Sequence, residues 1–174
     1  MIAKAKSILV MGVSGSGKSH VGRQVAAAMD ATFLDGDDYH SPGSIAKMSR
    51  GQPLNDGDRE AWLATLADLY REYQAQGISL VIGCSALKHR YRDQLRAATP
   101  HLDILYLHGD RSVLMDRLER RSEHFFAGAH MLDSQLATLE VPSRDEAFRG
   151  DIRDTPREIV NAFLDHLDMA SSRP

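Results

Sequence analysis

The stretch GVSGSGKS at residues 12–19 decides the fold that this sequence predicts. It fits the pattern G-x-x-x-x-G-K-[ST], in which glycines allow backbone N–H groups to surround a phosphate group. The apolar run Ser7–Met11 precedes it, as a strand buried on both faces would, and Lys18–Met29 has helical apolar spacing. A strand, a glycine-rich loop and a helix N-terminus in this order predict a phosphate-binding site.

Outward from this stretch, short apolar strands alternate with helices along the chain. Further strands are predicted at Thr32–Leu34, Ile78–Gly83, Asp103–Leu107 and Ala147–Ile152. Helices are predicted after Pro42, from about Asp58, around Tyr91, around Leu114, over Met131–Leu139 and from Pro156. This alternation predicts an α/β fold of three layers, with a parallel sheet between two layers of helices.

The length of 174 residues predicts one domain spanning 1–174, since folding at this size hides about 70% of the surface that the unfolded chain exposes. Between its second strand and the next long helix, the chain is rich in Ser, Pro, Gly, Asn and Asp, and we expect a substrate-binding segment there, at about 37–60. The core of the domain is predicted in residues 7–36, 78–120 and 145–170.

Composition excludes several classes of protein. The hydrophobic share of 43%, the charged share of 26% and the net charge of −3 are those of an ordinary globular protein. A general nucleic-acid binder would carry a basic excess, so we expect no nucleic-acid partner. The apolar run before residue 12 is too short to cross a bilayer, and the single cysteine, Cys84, cannot form an internal disulfide. We therefore expect a cytoplasmic protein with no membrane partner.

The phosphate-binding stretch supplies two side chains with defined chemistry. In this pattern Lys18 would reach the β- and γ-phosphates of a nucleoside triphosphate, and the hydroxyl of Ser19 would bind Mg²⁺. The second strand runs into Asp35 and Asp37, whose carboxylates can point to the same side beyond its end. One could hold Mg²⁺, directly or through water, while the other accepts a hydroxyl proton from a substrate. The residues alone leave the two roles unassigned, and an ordinary Asp-Gly turn is the alternative.

Arginines precede a segment with the composition of a loop. The segment Arg121–His130 is polar and is interrupted by Gly128, which predicts a loop and a lid at about 121–133. Arg117 and Arg121 lie four residues apart on one predicted helix, so they share a face. Arginines at the base of a mobile loop suit closure over phosphates and exclusion of water. A solvated charged face, interleaved with acidic residues, is the alternative.

Several longer blocks resemble the gluconokinase family. They are MGVSGSGKS at 11–19, FLDGDDYH at 33–40, KM at 47–48, GQPLNDGDR at 51–59, CSALK at 84–88 and YRDQLR at 91–96, followed by HFF, ML, SQ and LE between 124 and 140. The phosphate loop alone is shared with shikimate and adenylate kinases, whereas the PLND-x-DR and CSALK blocks are much more specific. By motif, the resemblance covers residues 8–140.

The resemblance implies transfer of the γ-phosphoryl group of ATP to the 6-hydroxyl of D-gluconate, with Mg²⁺, a nucleoside-monophosphate-kinase-like fold with a lid, and a homodimer. It implies nucleotide binding by Gly12, Val13, Ser14, Gly15, Ser16, Gly17, Lys18, Ser19, Arg117 and Arg121. It implies that Lys18, Asp37 and Arg121 are catalytic and that Ser19 and Asp35 hold Mg²⁺. The implied substrate-binding residues are Asp37, also the candidate base, Arg59, the candidate partner of the gluconate carboxylate, and His40, Lys47, Lys88 and His124.

Two other functions stay open at this point. Another small-molecule kinase of the same fold, such as a shikimate kinase, would have a Gly-Gly-Gly turn after the third strand, where this chain has CSA at 84–86. A non-catalytic ATP-binding module is the alternative from a different class, and intact Lys18, Ser19 and Asp37 argue against it. Turnover with gluconate, shikimate or nucleoside monophosphates would separate these functions.

Overall fold

The computed structural model describes residues 4–121 and 125–171 of the chain. Its strands are β1 Ser7–Met11, β2 Thr32–Asp35, β3 Leu80–Gly83, β4 Asp103–His108 and β5 Phe148–Asp151. Within the described residues these strands pair in parallel as one sheet, in the order β2-β3-β1-β4-β5. Because β1 is central, the glycine-rich loop that follows it emerges between the ends of β3 and β4.

Helices cover both faces of this sheet. They are α1 Lys18–Met29, α2 Pro42–Ser49, α3 Asp56–Ala75, α4 His89–Ala98, α5 Arg111–Arg121, α6 Phe125–Thr138 and α7 Pro156–Ser171, and a 3₁₀ turn, Gly36–Tyr39, follows β2. α1, α5 and α7 bury Val21, Leu114 and Phe163 against one face, whereas α3 and α4 bury Leu66 and Tyr91 against the other. The predicted three-layer α/β fold is confirmed.

Alternate side chains of β1 enter two separate cores. Ile8 and Val10 pack with α1, α5 and α7, whereas Leu9 and Met11 pack with α3 and α4. This alternation follows from the period of two along a strand, and every residue of β1 is buried. A strand packed on both faces gives the loop after it a rigid starting point.

The cap of α3 lies three residues before the one that the sequence predicts. The pattern predicts a helix beginning near Asp58 as its cap, but α3 begins at Asp56. Asn55 is the cap: its side chain accepts from the Asp58 N–H at 2.8 Å, and the Asp58 carboxylate accepts from the Asn55 N–H at 3.1 Å. Asp58 is thus the third helical residue of a reciprocal capping box, a role that a favourable capping residue type does not reveal.

The end of α3 explains a second difference, because the predicted strand Ile78–Gly83 begins only at Leu80. Gly77 has a left-handed backbone with φ of 73°. The Ile78 N–H then donates to the carbonyl of Tyr73 at 2.9 Å. This is the Schellman arrangement that closes a helix, so Ile78 belongs to the helix end and not to the strand.

The predicted loop Arg121–His130 is wrong over the residues that the structure describes. α6 begins at Phe125 and includes Gly128 as its fourth residue. A Cβ on Gly128 would lie 3.8 Å from a methyl group of Leu118, so this turn packs on α5, and Leu132 is fully buried in the core. Packing of this kind overrides the low helix propensity of glycine.

None of the helices in the described part of the chain combines the length and the apolar character needed to cross a bilayer. The division of the chain into a core, a substrate-binding segment and a lid stays a prediction.

Candidate active site

The loop after β1 has a backbone that only glycine permits at key positions. Gly17 caps α1 with φ of 92°, in the left-handed region. A Cβ on Gly12 would lie 2.5 Å from Ser16 Oγ and 2.8 Å from the carbonyl oxygen of Leu107. The buried Oγ of Ser16 has no hydrogen-bond partner within the described residues. A buried hydroxyl without a partner, in a loop of this shape, fits a ligand that brings acceptor oxygens.

Lys18 places an ammonium group at this loop. Its Nζ donates to the carbonyl of Val13 at 3.2 Å. Burial lowers the pKa of Lys18, and the carboxylates of Asp37 and Asp35 oppose that shift. The loop therefore holds a partly desolvated cation, which gains most from an anionic ligand.

Ser19, in the first turn of α1, and Asp35, the last residue of β2, meet at one edge of the sheet, although β3 lies between β1 and β2. The Ser19 hydroxyl donates to Asp35 Oδ2 at 3.0 Å, while Asp35 Oδ1 accepts from the N–H of Asp37 at 3.0 Å. A hydroxyl and a carboxylate are the oxygen donors that Mg²⁺ prefers, and this ion completes its shell with water and substrate phosphates. The donor set fits the predicted Mg²⁺ site.

A cleft of about 380 Å³ opens beside the glycine-rich loop. Its walls come from several parts of the chain. The glycine-rich loop and α1 contribute Ser14 and Lys18, and the segment after β3 contributes Ser85 and Leu87. The turn after β2 contributes Asp37 and His40, α3 contributes Arg59 and Trp62, and α6 contributes His130, Met131, Ser134 and Gln135. The cleft therefore brings together five of the predicted site residues, Ser14, Lys18, Asp37, His40 and Arg59, and adds α6, which sequence reasoning placed partly in a loop.

A stack of two rings supports Asp37. His40 Nε2 lies 3.5 Å from Asp37 Oδ1, and the His40 ring stacks on Trp62 with 4.1 Å between ring centroids. Trp62 Nε1 donates to the carbonyl of Gly36 at 2.7 Å, which fixes the 3₁₀ turn. The interaction with His40 lowers the pKa of Asp37, so this carboxylate is ionised at neutral pH. The buried Nδ1 of His40 has no partner within the described residues.

Arg59 contributes the cation on the far side of the cleft. Its Nη1 donates to the hydroxyl of Tyr91 at 3.3 Å, and that hydroxyl donates to Asp56 Oδ1 at 3.0 Å. Arg59 is half-buried, and its guanidinium group lies 5.8 Å from the centre of the Tyr91 ring. These contacts hold a positive charge opposite the loop, and the other donors of Arg59 make no hydrogen bond to the part of the chain that the structure describes.

Two predicted substrate-binding lysines are engaged in ion pairs instead. Lys47 contacts Asp58 at 2.7 Å and Lys88 contacts Asp56 at 3.5 Å, and neither lysine lines the cleft. The predicted His124 lies outside the described residues.

The two predicted arginines of α5 have different surroundings. Arg117 is half-buried, and a Cβ on Gly17 would lie 3.7 Å from its Nη1. Its other terminal nitrogen donates to the carbonyl of Ile152. Arg121 is the exposed last residue of α5. The structure thus places Arg117 at the glycine-rich loop and Arg121 at the surface.

Sequence reasoning missed Gln135 and Arg92. Gln135 Oε1 accepts from the N–H of Ser14 at 2.6 Å, and the only sequence signal was its place in the SQ pair of the family resemblance. Arg92 is 1% exposed, with Nε 2.9 Å from Glu146 Oε2. Its other nitrogens donate to the carbonyls of Ala86, Leu87 and Glu140. Arg92 thereby ties the CSALK segment to the chain after α6.

Comparison with known proteins shows the family to which the chain belongs. Residues 8–142 match the family described as an AAA domain. A thermoresistant gluconokinase of Escherichia coli (strain K12) is 48% identical over 139 residues, which are 79% of this chain and 78% of that protein. The chain belongs to the gluconokinase family.

Solved structures extend the likeness of this gluconokinase-family chain to its three-dimensional fold. A sugar kinase from Janibacter sp. HTCC2649 superposes with a TM-score of 0.88 at 42% identity, covering 95% of this chain and 96% of that one. A gluconokinase from Sinorhizobium meliloti 1021 superposes with a TM-score of 0.84 at 42% identity, covering 98% of this chain and 99% of that one. The shikimate kinase of Aquifex aeolicus vf5 shares only the fold. It superposes with a TM-score of 0.57 at 15% identity, covering 95% of this chain and 98% of that one.

Proposed function

We propose that this protein phosphorylates D-gluconate at the 6-hydroxyl with ATP, giving 6-phospho-D-gluconate and ADP. The observation that carries the proposal is the cleft of a gluconokinase-family chain in which Lys18, Asp37 and Arg59 surround one space beside a phosphate-binding loop. Phosphoryl transfer depends chiefly on positioning and on neutralising charge, and the cleft supplies cations on both sides of a carboxylate.

The glycine-rich loop is the proposed binding site for the ATP phosphates. Backbone N–H groups of this loop other than those of Ser14 and Ser16, which already donate to Gln135 and Val13, offer hydrogen bonds together with the Ser16 hydroxyl, and Lys18 neutralises the β- and γ-phosphates. Arg117, which lies against Gly17, adds a second positive charge. Arg121 would act from the end of α5, at the base of the proposed lid.

Ser19 and Asp35 would hold Mg²⁺, directly or through water, because their oxygens already meet at 3.0 Å beside the loop. When bound, the ion would offset negative charge that develops on the phosphates. Ser19 Oγ would present a lone pair to the ion, and the Asp35 carboxylate would keep its contact with the N–H of Asp37.

Asp37 is the proposed base for the acceptor hydroxyl. Its carboxylate accepts the hydrogen bond of the 6-hydroxyl and takes the proton as the hydroxyl oxygen bonds to the γ-phosphorus and the bond from that phosphorus to ADP breaks. A lowered pKa makes Asp37 a weak base, so it orients the hydroxyl first and receives the proton late in the transfer.

The remaining acceptor contacts follow from what faces the cleft. The unpartnered Nδ1 of His40 would bind a sugar hydroxyl, and the guanidinium of Arg59 would bind the carboxylate of gluconate. Lys47, Lys88 and His124 stay proposed acceptor residues on the resemblance alone, and the two lysines would first have to leave their ion pairs.

We further propose a homodimer in the cytoplasm, as the resemblance implies. A reducing compartment suits a chain whose single cysteine is buried and unpaired. Light scattering after size exclusion should give about twice the chain mass of 19.3 kDa. A mass equal to that of one chain would reject the dimer.

Coupled measurement of ADP release tests the reaction with D-gluconate, shikimate and a nucleoside monophosphate as acceptors. Turnover that depends on D-gluconate is expected, and its absence would overturn the proposal. Arg59→Ala should raise KM for gluconate by about 10- to 100-fold, because it removes a charge-assisted contact, and should leave KM for ATP nearly unchanged. Arg71→Ala is the matched control, since Arg71 is 56% exposed and, among the described residues, its ion pair is with Asp68 alone.

A further inference from the structure

One side chain of α6 reaches across the cleft to the glycine-rich loop. Gln135 Oε1 accepts the backbone N–H of Ser14 at 2.6 Å, a contact between residues 121 positions apart. Both residues line the cleft that also contains Lys18 and Asp37. Gln135 therefore lies where the proposed phosphate chain and the proposed acceptor meet.

The orientation of the Gln135 carboxamide follows from this contact. A backbone N–H can only donate, so the atom facing Ser14 must be the oxygen, and the NH₂ group must face the other way. That NH₂ group makes no hydrogen bond within the described residues. Gln135 is half-buried, so it presents two unused donors at the wall of the cleft.

Neighbouring contacts hold α6 in place. Leu132, one turn earlier, is fully buried in the core below α5. Asp133 accepts two hydrogen bonds from Arg111 of α5, at 2.7 and 2.9 Å. Gln135 thus projects from a helix that the buried Leu132 anchors to the core, so its donors are held at the cleft before any acceptor enters.

We propose that Gln135 is an acceptor-specificity residue, which binds one hydroxyl of the sugar acid through Nε2 while Oε1 stays on Ser14. The inference rests on the proposed function and adds a contact that couples the two substrates. Because one rigid amide joins the loop to the acceptor, it sets the distance from the acceptor chain to the phosphates. The ligand class is a polyhydroxylated acid, since an acceptor without a hydroxyl at that position would leave the donors unpaired.

Gln135→Met tests the inference, because it keeps the length of the side chain and removes its hydrogen bonds. Steady-state kinetics would compare D-gluconate with analogues that each lack one hydroxyl. We expect kcat/KM for D-gluconate to fall by about tenfold in the variant, the size of one lost hydrogen bond. For one deoxy analogue, kcat/KM of the wild type should be about tenfold lower than for D-gluconate. In the variant, the same analogue should cause no further fall in kcat/KM.

A loss from Gln135→Met that is equal for every acceptor would overturn the inference, as would an unchanged kcat/KM. If the wild type phosphorylates gluconate, either result rejects only the role of Gln135. If the wild type is inactive with gluconate, the proposed function itself is rejected. Gln135→Glu is the second variant if Gln135→Met does not fold, because it retains the acceptor for Ser14 and removes the donors. Gln76→Glu, at the exposed end of α3, controls for an added charge.

Discussion

Replacing Arg92 by alanine would remove a buried cation from the centre of a network. The guanidinium donates to both carboxylate oxygens of Glu146, at 2.9 and 3.3 Å, and to the carbonyls of Ala86, Leu87 and Glu140. The side chains of Arg92 and Glu146 are 1% and 8% exposed, so water cannot replace the lost partner easily. Breaking a buried ion pair in this way costs about 3–5 kcal/mol of unfolding free energy.

The expected fall in Tm follows from that free energy and the size of the protein. For a domain of this length each kcal/mol lowers Tm by about 2–4 °C, which gives a fall of about 6–20 °C for Arg92→Ala. Urea unfolding followed by circular dichroism would measure the free energy directly. Leu87 lines the cleft, so kcat/KM for gluconate should fall in the same variant.

Arg96→Ala is the matched control. Arg96 also donates to Glu146, at 2.7 Å, but it is 26% exposed and its second partner is the exposed Asp93. We expect Arg96→Ala to lower the free energy of unfolding by about 1 kcal/mol or less, because the ion pair is partly solvated. Equal losses in Arg92→Ala and Arg96→Ala would refute the reasoning, because burial would then not decide the cost.

The same pair predicts a dependence on pH. Desolvation would raise the pKa of Glu146, but hydrogen bonds from Arg92 and Arg96 prevail and lower it below its ordinary value of 4.5. The stabilisation is therefore fully present above that value and is lost as the pH falls through the lower pKa of the folded state. The difference in stability between the wild type and Arg92→Ala should narrow below pH 4.5, and a difference that widens there would contradict the pairing.

Three other substitutions or treatments test separate parts of the site. Trp62→Phe should lower the free energy of unfolding by about 1–3 kcal/mol in urea unfolding, because the buried carbonyl of Gly36 loses its hydrogen-bond partner. Steady-state kinetics of the same variant should show a lower kcat with little change in KM for ATP. Burial raises the pKa of Cys84 to about 12, so iodoacetamide at pH 8 should label the unfolded chain and spare the folded one by mass spectrometry. Lys18→Ala should lower kcat by about 100-fold or more with an unchanged far-ultraviolet spectrum, and near-normal turnover would contradict its role.

The part of the fold that sequence predicts best is the part set by local pattern. The continuous apolar run Ser7–Met11 predicts a strand with two buried faces, and the glycines after it predict a loop for an anion. The residues around Gly128 were mispredicted because their helix depends on packing against Leu118, which no local pattern contains. Ile78 was assigned to a strand because an apolar residue that closes a helix looks, in sequence, like the first residue of the next strand.

The residues of the candidate site also differ in how far the sequence predicts their positions. Ser19 and Asp35 were joined in one predicted Mg²⁺ site by the family resemblance, because the residues alone did not separate the roles of Asp35 and Asp37, and in the structure the Ser19 hydroxyl lies 3.0 Å from Asp35. Lys47 was expected at the substrate but pairs with Asp58 in the first turn of α3, because nothing in the spacing of a charge reveals its partner. Gln135 escaped notice for a similar reason, since its partner Ser14 lies at the other end of the sequence.

The central position of β1 has a consequence for how ligand binding is transmitted through the protein. The loop, the acidic turn and the CSALK segment leave three neighbouring strands, so an opening of the sheet that separates β1 from β3 also dismantles the site. Nucleotide can then be retained only by molecules whose sheet is intact. Amide protons of Leu9 and Val10 should accordingly exchange about 100-fold more slowly at 100 times the dissociation constant, a stabilisation of about 2.7 kcal/mol. Occupancy of a surface cleft would thus be recorded by hydrogen exchange in the most deeply buried strand.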